Sequence, residues 1–259
     1  ENRVGAGGII GVEQIARAAP DGLSFGLGTV STLAMAPLVQ PKLSYDPLKS
    51  LAPVNLIASA PFFLVVHPAL PVRNLQELVV HARAQPGRLG YASIGNGTLL
   101  HFAGEQLKNA AGIDMLHVPY KGSGAVYPDL MAGRVTLLTD VMGSALGQVK
   151  GGKVRALGIT SLQRSRTLPD VPTIAEQGFP GFDAAPWWYV AAPAGTPADI
   201  VKKLSDELVK ASKAPDVIKK IRDAGAAELG GSSEDLAKHM VAENAKWKKV
   251  IEAAKLEPQ

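Results

Sequence analysis

The residues of this chain best suited to bind an anion lie in one short segment, 93–101. Two glycines, Gly95 and Gly97, follow a strand-like stretch that ends at Ser93, and glycine adopts backbone angles that other residues resist. Thr98 is a favourable N-cap for the helix predicted to follow. Backbone N–H groups and the positive end of the helix dipole at such a junction attract carboxylates. The segment, which includes Asn96, therefore predicts a pocket for a small oxyanion. The alternative is an ordinary strand-to-helix turn.

Hydroxyl groups follow an earlier predicted strand, Leu23 to Gly28, in the same way. Thr29, Ser31 and Thr32 stand at its end, where the strand ends of an α/β sheet face a ligand cleft. Their hydroxyls can hydrogen-bond a ligand oxygen, or they can cap the next turn. The sequence leaves both roles open.

Two charged or titratable side chains are candidates for contacts with the ligand. His101 lies one turn into the predicted helix, where it can contact the ligand or tune its charge; a packed histidine is the alternative. Lys121 lies in the polar loop Tyr120 to Ser123 and is a candidate counter-charge for a second carboxylate. A solvated lysine is the alternative there.

A carboxyl group and an indole complete the candidate site. Asp140 ends the predicted strand Val135 to Thr139 and Ser144 follows one helical turn later, so Asp140 can bind a ligand amine or hydroxyl, fix the Tyr120 loop, or cap the next helix. Trp187 and Trp188 point to opposite faces of a strand. One of them can line the ligand site, unless both pack in the core.

Composition excludes several classes of function. The 259 residues, 46% hydrophobic and 19% charged, suit two small globular domains, and no apolar run is long enough for a membrane helix. With no cysteine and five scattered histidines, the sequence predicts no disulfide, no metal site and no cofactor. A net charge of +4 favours small anions over nucleic acid, which needs a concentrated basic stripe. No nucleophile elbow or Walker loop is present, and the residues Glu1-Asn2-Arg3, which lead into a glycine-rich stretch, are not expected to begin a signal peptide.

The order of the elements predicts an α/β fold with two lobes. Strand-like and helix-like segments alternate along the chain. The sequence predicts an irregular apolar stretch from Val54 to Val66, a helix from Leu75 to Ala84 with Asn74 as its N-cap, and a helix with an apolar face from Ala198 to Ser212. Two apolar strands, Phe62 to Val66 and Trp188 to Ala192, bracket a block that contains its own βα units. A block that leaves one sheet and later returns to it forms a second lobe joined by two crossings, and the cleft between the lobes is the expected ligand site.

Short motifs that span nearly the whole chain resemble those of a known family. They are Glu-Asn-Arg-Val-Gly-Ala-Gly-Gly at 1–8, Ala-Arg-Ala-Ala-Pro-Asp-Gly at 16–22, Leu-Val-Val-His-Pro-Ala-Leu-Pro-Val at 64–72, Tyr-Ala-Ser-Ile-Gly-Asn-Gly-Thr at 91–98, His-Val-Pro-Tyr-Lys-Gly-Ser at 117–123, Leu-Pro-Asp-Val-Pro-Thr-Ile-Ala-Glu at 168–176 and Ala-Pro-Ala-Gly-Thr-Pro at 192–197. In this order and spacing they resemble the periplasmic solute-binding receptors of the tripartite tricarboxylate transporters, also called Bug-type receptors.

The resemblance implies a type II-like periplasmic-binding fold, a Venus flytrap with two crossover strands. Lobe one would comprise 1–65 and 190–259, and lobe two 66–189. Such a receptor is a periplasmic monomer that captures a small carboxylate, which could be a di- or tricarboxylate, an aromatic acid or an acidic amino acid. It delivers the ligand to a cognate two-component membrane permease and is not an enzyme. An enzyme acting on a small carboxylate with the same scaffold is the alternative.

The resemblance also implies two carboxylate-binding turns, one per lobe. One of them matches residues 95–98. The other belongs to a βα unit upstream of the first motif, so the first βα unit of lobe one is expected to be missing from this chain. An exposed sheet edge or apolar face is then expected in lobe one.

Overall fold

A computed structural model describes residues 1–3, 5–40 and 42–254. The chain divides into two compact units: unit one is Glu1–Ser59 with Pro186–Gln259, and unit two is Ala60–Ala185. Among the described residues, no helix combines the length and the apolar character that a membrane span requires.

The strands form two separate sheets. In chain order they are β1 (Gly26–Thr29), β2 (Leu51–Ser59), β3 (Phe62–Val66), β4 (Gly90–Ser93), β5 (Leu116–Pro119), β6 (Leu137–Val141), β7 (Arg155–Ile159), β8 (Trp187–Pro193) and β9 (Ala227–Gly231). The α-helices are α1 (Ile9–Arg17), α2 (Ala36–Val39), α3 (Leu75–Ala84), α4 (Leu99–Ala111), α5 (Ser123–Met131), α6 (Met142–Lys150), α7 (Ala198–Ser212), α8 (Pro215–Asp223) and α9 (Ser233–Ala254).

Unit one has a four-stranded antiparallel sheet in the order β1-β8-β2-β9. The apolar face predicted for the helix 198–212 packs on the middle of this sheet. The contacting residues are Val54, Val190 and Ala192 of the sheet and Val201, Leu204 and Leu208 of α7. Their burial stabilises the unit because it removes a continuous apolar stripe from water.

The edge of this sheet carries exposed apolar side chains. β1 is an edge strand, and Leu23, Phe25 and Leu27, at alternate positions within and just before it, are 85%, 50% and 61% exposed. Gly26 and Gly28 face the opposite way, toward Ile15 and Tyr189. Unit one therefore has the exposed sheet edge with apolar residues that the sequence predicts.

Unit two has a five-stranded mixed sheet in the order β5-β4-β6-β3-β7. All five residues of β3 are buried, as in a central strand covered on both faces. The N-cap predicted at Asn74 is confirmed, because its side chain accepts the N–H of Glu77 at 2.8 Å. Pairing of β4 with β5 on one side and with β6 on the other holds these three strands in fixed register.

The predicted crossing strands need a correction. The apolar stretch 54–66 is two strands, β2 and β3, interrupted near Pro61, which has no N–H to donate to a sheet. β3 pairs with β6 and β7 of unit two, whereas β8 pairs with β1 and β2 of unit one. The two bracketing strands therefore belong to different sheets. The units divide after Ser59 and after Ala185, a few residues before the boundaries predicted for the lobes. The lobe boundaries themselves stay a prediction.

Candidate functional site

Three strands of unit two run in the same direction, and each leads into a helix. β4 is parallel to β5 and to β6, and short turns connect these strands to α4, α5 and α6. The N-termini of the three helices therefore lie at the carboxyl ends of the strands, where α/β sheets bind ligands. We call the segments 94–98, 120–122 and 141–144 the carboxyl edge of unit two. The positive ends of three helix dipoles favour an anion at this edge.

The glycine turn at this edge has the backbone that its sequence predicts. Gly95 and Gly97 have φ angles of +137° and +71°, where side chains other than hydrogen are strained. The Gly95 N–H donates to Ser93 Oγ at 3.1 Å. The backbone of Thr98 is extended, as at an N-cap, but its hydroxyl makes no cap bond and donates to the Gly95 carbonyl oxygen at 2.7 Å. Thr98 is therefore the N-cap residue of α4, as the sequence predicts, but it makes no side-chain cap bond because the turn brings the Gly95 carbonyl within reach of its hydroxyl.

His101 closes the turn from its inner side. Its Nδ1 accepts the N–H of Gly97 at 3.2 Å, and the ring is only 7% exposed. A side chain at the third helical position that accepts an N–H just before the helix resembles a capping box, in which glutamate or glutamine usually does this. One N–H of the predicted anion turn is thus bound by the protein itself.

A stack of three rings supports the turn. His101 stacks on His117 with ring centroids 4.0 Å apart and an interplanar angle of 13°. His117 in turn stacks on Tyr91 at 4.9 Å, its register partner on the neighbouring strand. His117 Nε2 also lies 2.7 Å from Ser93 Oγ. The stack therefore connects the start of α4 to both strands beneath it.

A buried ion pair lies behind the stack. The Tyr91 hydroxyl donates to Glu105 Oε1 at 2.5 Å, and Lys108 Nζ lies 2.9 Å from the same oxygen. Burial lowers the pKa of His101. Burial and then the neighbouring His101 lower the pKa of His117 to about 4. Both imidazoles are therefore neutral at neutral pH.

The loop after β5 is held against the turn. The Tyr120 N–H donates to the Ser93 carbonyl oxygen at 2.9 Å, and the Tyr120 hydroxyl donates to Asp129 Oδ2 at 2.8 Å. Lys121 is exposed. Its side chain is therefore open to solvent on the segment that follows β5.

Asp140 fixes the other two segments of the carboxyl edge. It lies inside β6 and not after its end, and it is 1% exposed. Its carboxylate accepts the hydroxyls of Ser123 at 2.8 Å and Tyr127 at 3.0 Å, together with the Ser144 hydroxyl and the Val141 N–H. Burial raises its pKa despite these bonds. Of the predicted roles, fixation of the loop Tyr120 to Ser123 describes these contacts, whereas the N-cap of α6 is Val141 and not Asp140.

The hydroxyl candidates of unit one are bonded within their own turn. Thr32 Oγ1 accepts the Thr29 N–H at 3.1 Å, donates to the Thr29 carbonyl at 2.9 Å, and lies 3.3 Å from the Tyr189 hydroxyl. Ser31 begins a short π-helical segment, Ser31–Met35. The capping alternative therefore describes Thr32.

The indole candidate also packs inside unit one. Trp187 is 3% exposed and donates its Nε1–H to Glu243 Oε2 at 3.1 Å. Trp247 donates to the same oxygen at 2.9 Å, and Lys246 contacts the other carboxylate oxygen. Trp188 is half-buried. Core packing is thus the environment of Trp187.

Sequence reasoning missed the residues that support the turn. The candidates predicted from the sequence do not include His117, Glu105 or Tyr127. His117 and Tyr127 each contact a candidate, and Glu105 accepts the hydroxyl of Tyr91 in the stack. The spacing of His101 and Glu105, one helical turn apart, was visible in the sequence. The pairing of Tyr91 with His117 was not, because it depends on which strands are neighbours in the sheet.

A separate cavity lies elsewhere in unit two. It has a volume of about 270 Å³ and is lined by Gln106, Ala110, Gly178, Phe179, Pro180, Gly181 and Phe182. None of the predicted site residues lines it, so its size does not bear on the carboxyl edge.

Comparison with known proteins agrees with this architecture. Residues 1–256 match the model of the tripartite tricarboxylate transporter family receptor. Protein BugT of Bordetella pertussis is 34% identical over 254 residues, which cover 97% of this chain and 77% of BugT. A structure of an R. palustris protein with adipate has a TM-score of 0.93 at 36% identity, covering 100% of this chain and 87% of that one. MatC of Rhodopseudomonas palustris with bound malate has a TM-score of 0.86 at 32% identity, covering 97% and 86%.

The α/β scaffold with its helix N-termini at one sheet edge is that of a solute-binding receptor. The chain belongs to the receptor family of the tripartite tricarboxylate transporters. The predicted family and fold class are thereby confirmed, and the chain is a receptor and not an enzyme.

Proposed function

We propose that this chain captures a small carboxylate in the periplasm, as a monomer, and delivers it to a cognate two-component membrane permease. The preferred ligand class is a di- or tricarboxylate; aromatic acids and acidic amino acids are the other acids to test. The observation that carries the proposal is the glycine turn at the carboxyl edge of unit two, where three helices begin. The adipate and malate bound to two relatives are both dicarboxylates.

In this proposal, one ligand carboxylate binds at the turn 94–98. The first N–H groups of an α-helix have no acceptor within the helix, and charge-assisted bonds to a carboxylate are stronger than neutral ones. Asn96 is exposed on the turn and Lys121 is exposed on the next segment of the edge. We assign Lys121 to the second carboxylate. Asp140 and Ser144 hold the edge in shape.

The candidates of unit one receive different roles. We assign Thr32 and Trp187 to the folding of unit one, because their polar groups are bonded there. Thr29 and Ser31 remain candidates for ligand contact. The ligand affinity of variants at Thr29 and Ser31 should be measured together with that of variants in the turn 94–98.

A thermal-shift screen of mono-, di- and tricarboxylates, aromatic acids and amino acids tests the proposal, with calorimetry for each compound that stabilises. A ligand at a hundredfold excess over its Kd stabilises the folded chain by about 2.7 kcal/mol. Product analysis after long incubation should recover the ligand unchanged. Stabilisation by no anion in the screen would contradict carboxylate capture.

A further inference from the structure

Two stacked histidines support the glycine turn, and His101 binds one of its N–H groups, which is then not available to a ligand. The Gly97 N–H donates to His101 Nδ1 at 3.2 Å. The His117 ring packs on His101 and holds Ser93 Oγ at 2.7 Å. We propose that His101 is a positioning residue of the carboxylate turn, and that the turn is competent to bind only while the His101 ring is neutral. This inference rests on the proposed function.

The bond itself requires a neutral ring. A nitrogen that accepts an N–H carries a free lone pair, and protonation replaces that lone pair with a second donor. The Gly97 N–H and a protonated Nδ1 would then point at each other. The turn would have to open, or the ring would have to leave its stack, and either change moves the backbone on which the ligand sits.

The surroundings keep the ring neutral. The groups that face His101 are Glu105 and Lys108 on its own helix, His117 from β5 and, beyond His117, Tyr91 from β4. The charges of Glu105 and Lys108, 2.9 Å apart, act on the pKa of His101 in opposite directions, and burial outweighs both. Burial disfavours the imidazolium, and a second cation stacked 4.0 Å away would disfavour it further. His101 therefore serves as a hydrogen-bond acceptor and not as the counter-charge of the ligand.

Three substitutions at this position separate hydrogen bonding from charge. His101→Gln keeps a neutral acceptor at the third helical position, as in a capping box. His101→Glu keeps the acceptor and adds a negative charge. His101→Leu removes the acceptor. We expect the Gln variant to bind the best dicarboxylate of the screen within a few-fold of wild type, and the Leu and Glu variants to bind about tenfold or more weakly.

Thermal stability distinguishes this role from a purely structural one. A negative charge at a helix N-terminus stabilises a folded protein, so His101→Glu should unfold at a temperature no lower than His101→Gln while binding much more weakly. Equal affinities of the Glu and Gln variants would place the ligand away from the turn. Wild-type affinity in the Leu variant would overturn the positioning role.

A pH profile adds a readout that folding alone does not move. Burial holds the pKa of His101 below the ordinary histidine value of about 6.5. Wild-type affinity should therefore stay level through that pH and fall only on further acidification, while that of His101→Gln should stay flat apart from protonation of the ligand itself. His81→Gln, a substitution on the surface of α3, should retain the wild-type profile. Affinity that rises on acidification would identify His101 as a counter-charge and overturn the proposal.

His117→Phe tests the stack independently. Phenylalanine keeps a ring between Tyr91 and His101 but loses the contact with Ser93 Oγ, so we expect an affinity loss smaller than that of His101→Leu. If wild-type protein binds no acid in the screen, the proposed function fails. If it binds and all four variants bind equally well, only this inference fails.

Discussion

Two strand-to-helix turns of this chain, one in each unit, carry candidate ligand groups and are stabilised in different ways. The turn after β1 contains two threonines, and the Thr32 hydroxyl binds both the N–H and the carbonyl of Thr29. The turn after β4 contains two glycines, and its bonds come from the side chains of Ser93, His101 and Thr98. Thr32 is buried, whereas Asn96 on the glycine turn is exposed and open to a ligand.

The largest expected effect comes from the backbone of the glycine turn. Gly97→Val forces a β-branched residue to φ near +71°, which costs about 1–3 kcal/mol of strain and moves the turn. We expect affinity for the best dicarboxylate to fall about tenfold or more, measured by calorimetry.

Gly133→Val is the matched control. Gly133 has the same φ of +71°, and a Cβ there meets no atom within 4 Å. The control should lose similar stability and keep wild-type affinity. Equal loss of affinity in both variants would mean that strain acts on the fold and not on the turn.

The two threonines should separate stability from binding. Thr32→Val removes the acceptor of a buried N–H, so the free energy of unfolding should fall by about 1–3 kcal/mol with affinity unchanged. Thr98→Val removes one of the two hydroxyls that donate to the Gly95 carbonyl, so stability should fall by about 1 kcal/mol and affinity should fall with it. Urea unfolding and calorimetry on both variants give the comparison. If Thr32→Val weakened ligand binding, the turn after β1 would belong to the ligand site.

The buried carboxyls of the two units should respond to pH in opposite directions. The raised pKa of Asp140 means that the folded state holds its proton to higher pH than the unfolded state. Its contribution to stability therefore falls as pH rises from about 4 toward neutrality. The pKa of Glu243 is lowered, with Lys246 the largest of the groups that lower it, so its contribution is present above about 4.5 and is lost as pH falls.

Asp140→Asn and Glu243→Gln test this pair. The stability difference between wild type and Asp140→Asn should shift in favour of the variant as pH rises above about 4, the pKa of an aspartate in the unfolded chain. For Glu243→Gln, the stability difference from wild type should shift in favour of wild type as the pH rises. Urea unfolding at each pH measures both, and shifts of the same sign would contradict the assigned environments.

The smallest effect is expected at Lys121. An exposed ion pair contributes about 0.2–1 kcal/mol, so Lys121→Ala should weaken dicarboxylate binding only a few-fold, and less at high salt. Lys150→Ala is the control, because Lys150 is exposed at the far end of α6 from the carboxyl edge. If both substitutions weakened binding equally, Lys121 would act only through the net charge of the protein and not through a contact with the ligand.

The sequence by itself determined the parts that depend on local chemistry. The two glycines predicted a turn with positive φ because few other residues adopt it, and the apolar period of residues 198–212 predicted α7 because a helix repeats every 3.6 residues. Asn74 predicted its cap because the acceptor lies three residues from the donor. The family followed from motifs spread over the chain.

Tertiary structure decided the contacts between distant segments. His117 joins the turn only because β5 lies beside β4 in that register, and the sequence does not say which strands pair. Thr98 bonds a carbonyl and not an N–H because the glycines bring that carbonyl to it. β3 belongs to unit two because its partners are β6 and β7. In each case several partners are possible, and tertiary packing determines which of them lies within hydrogen-bond distance.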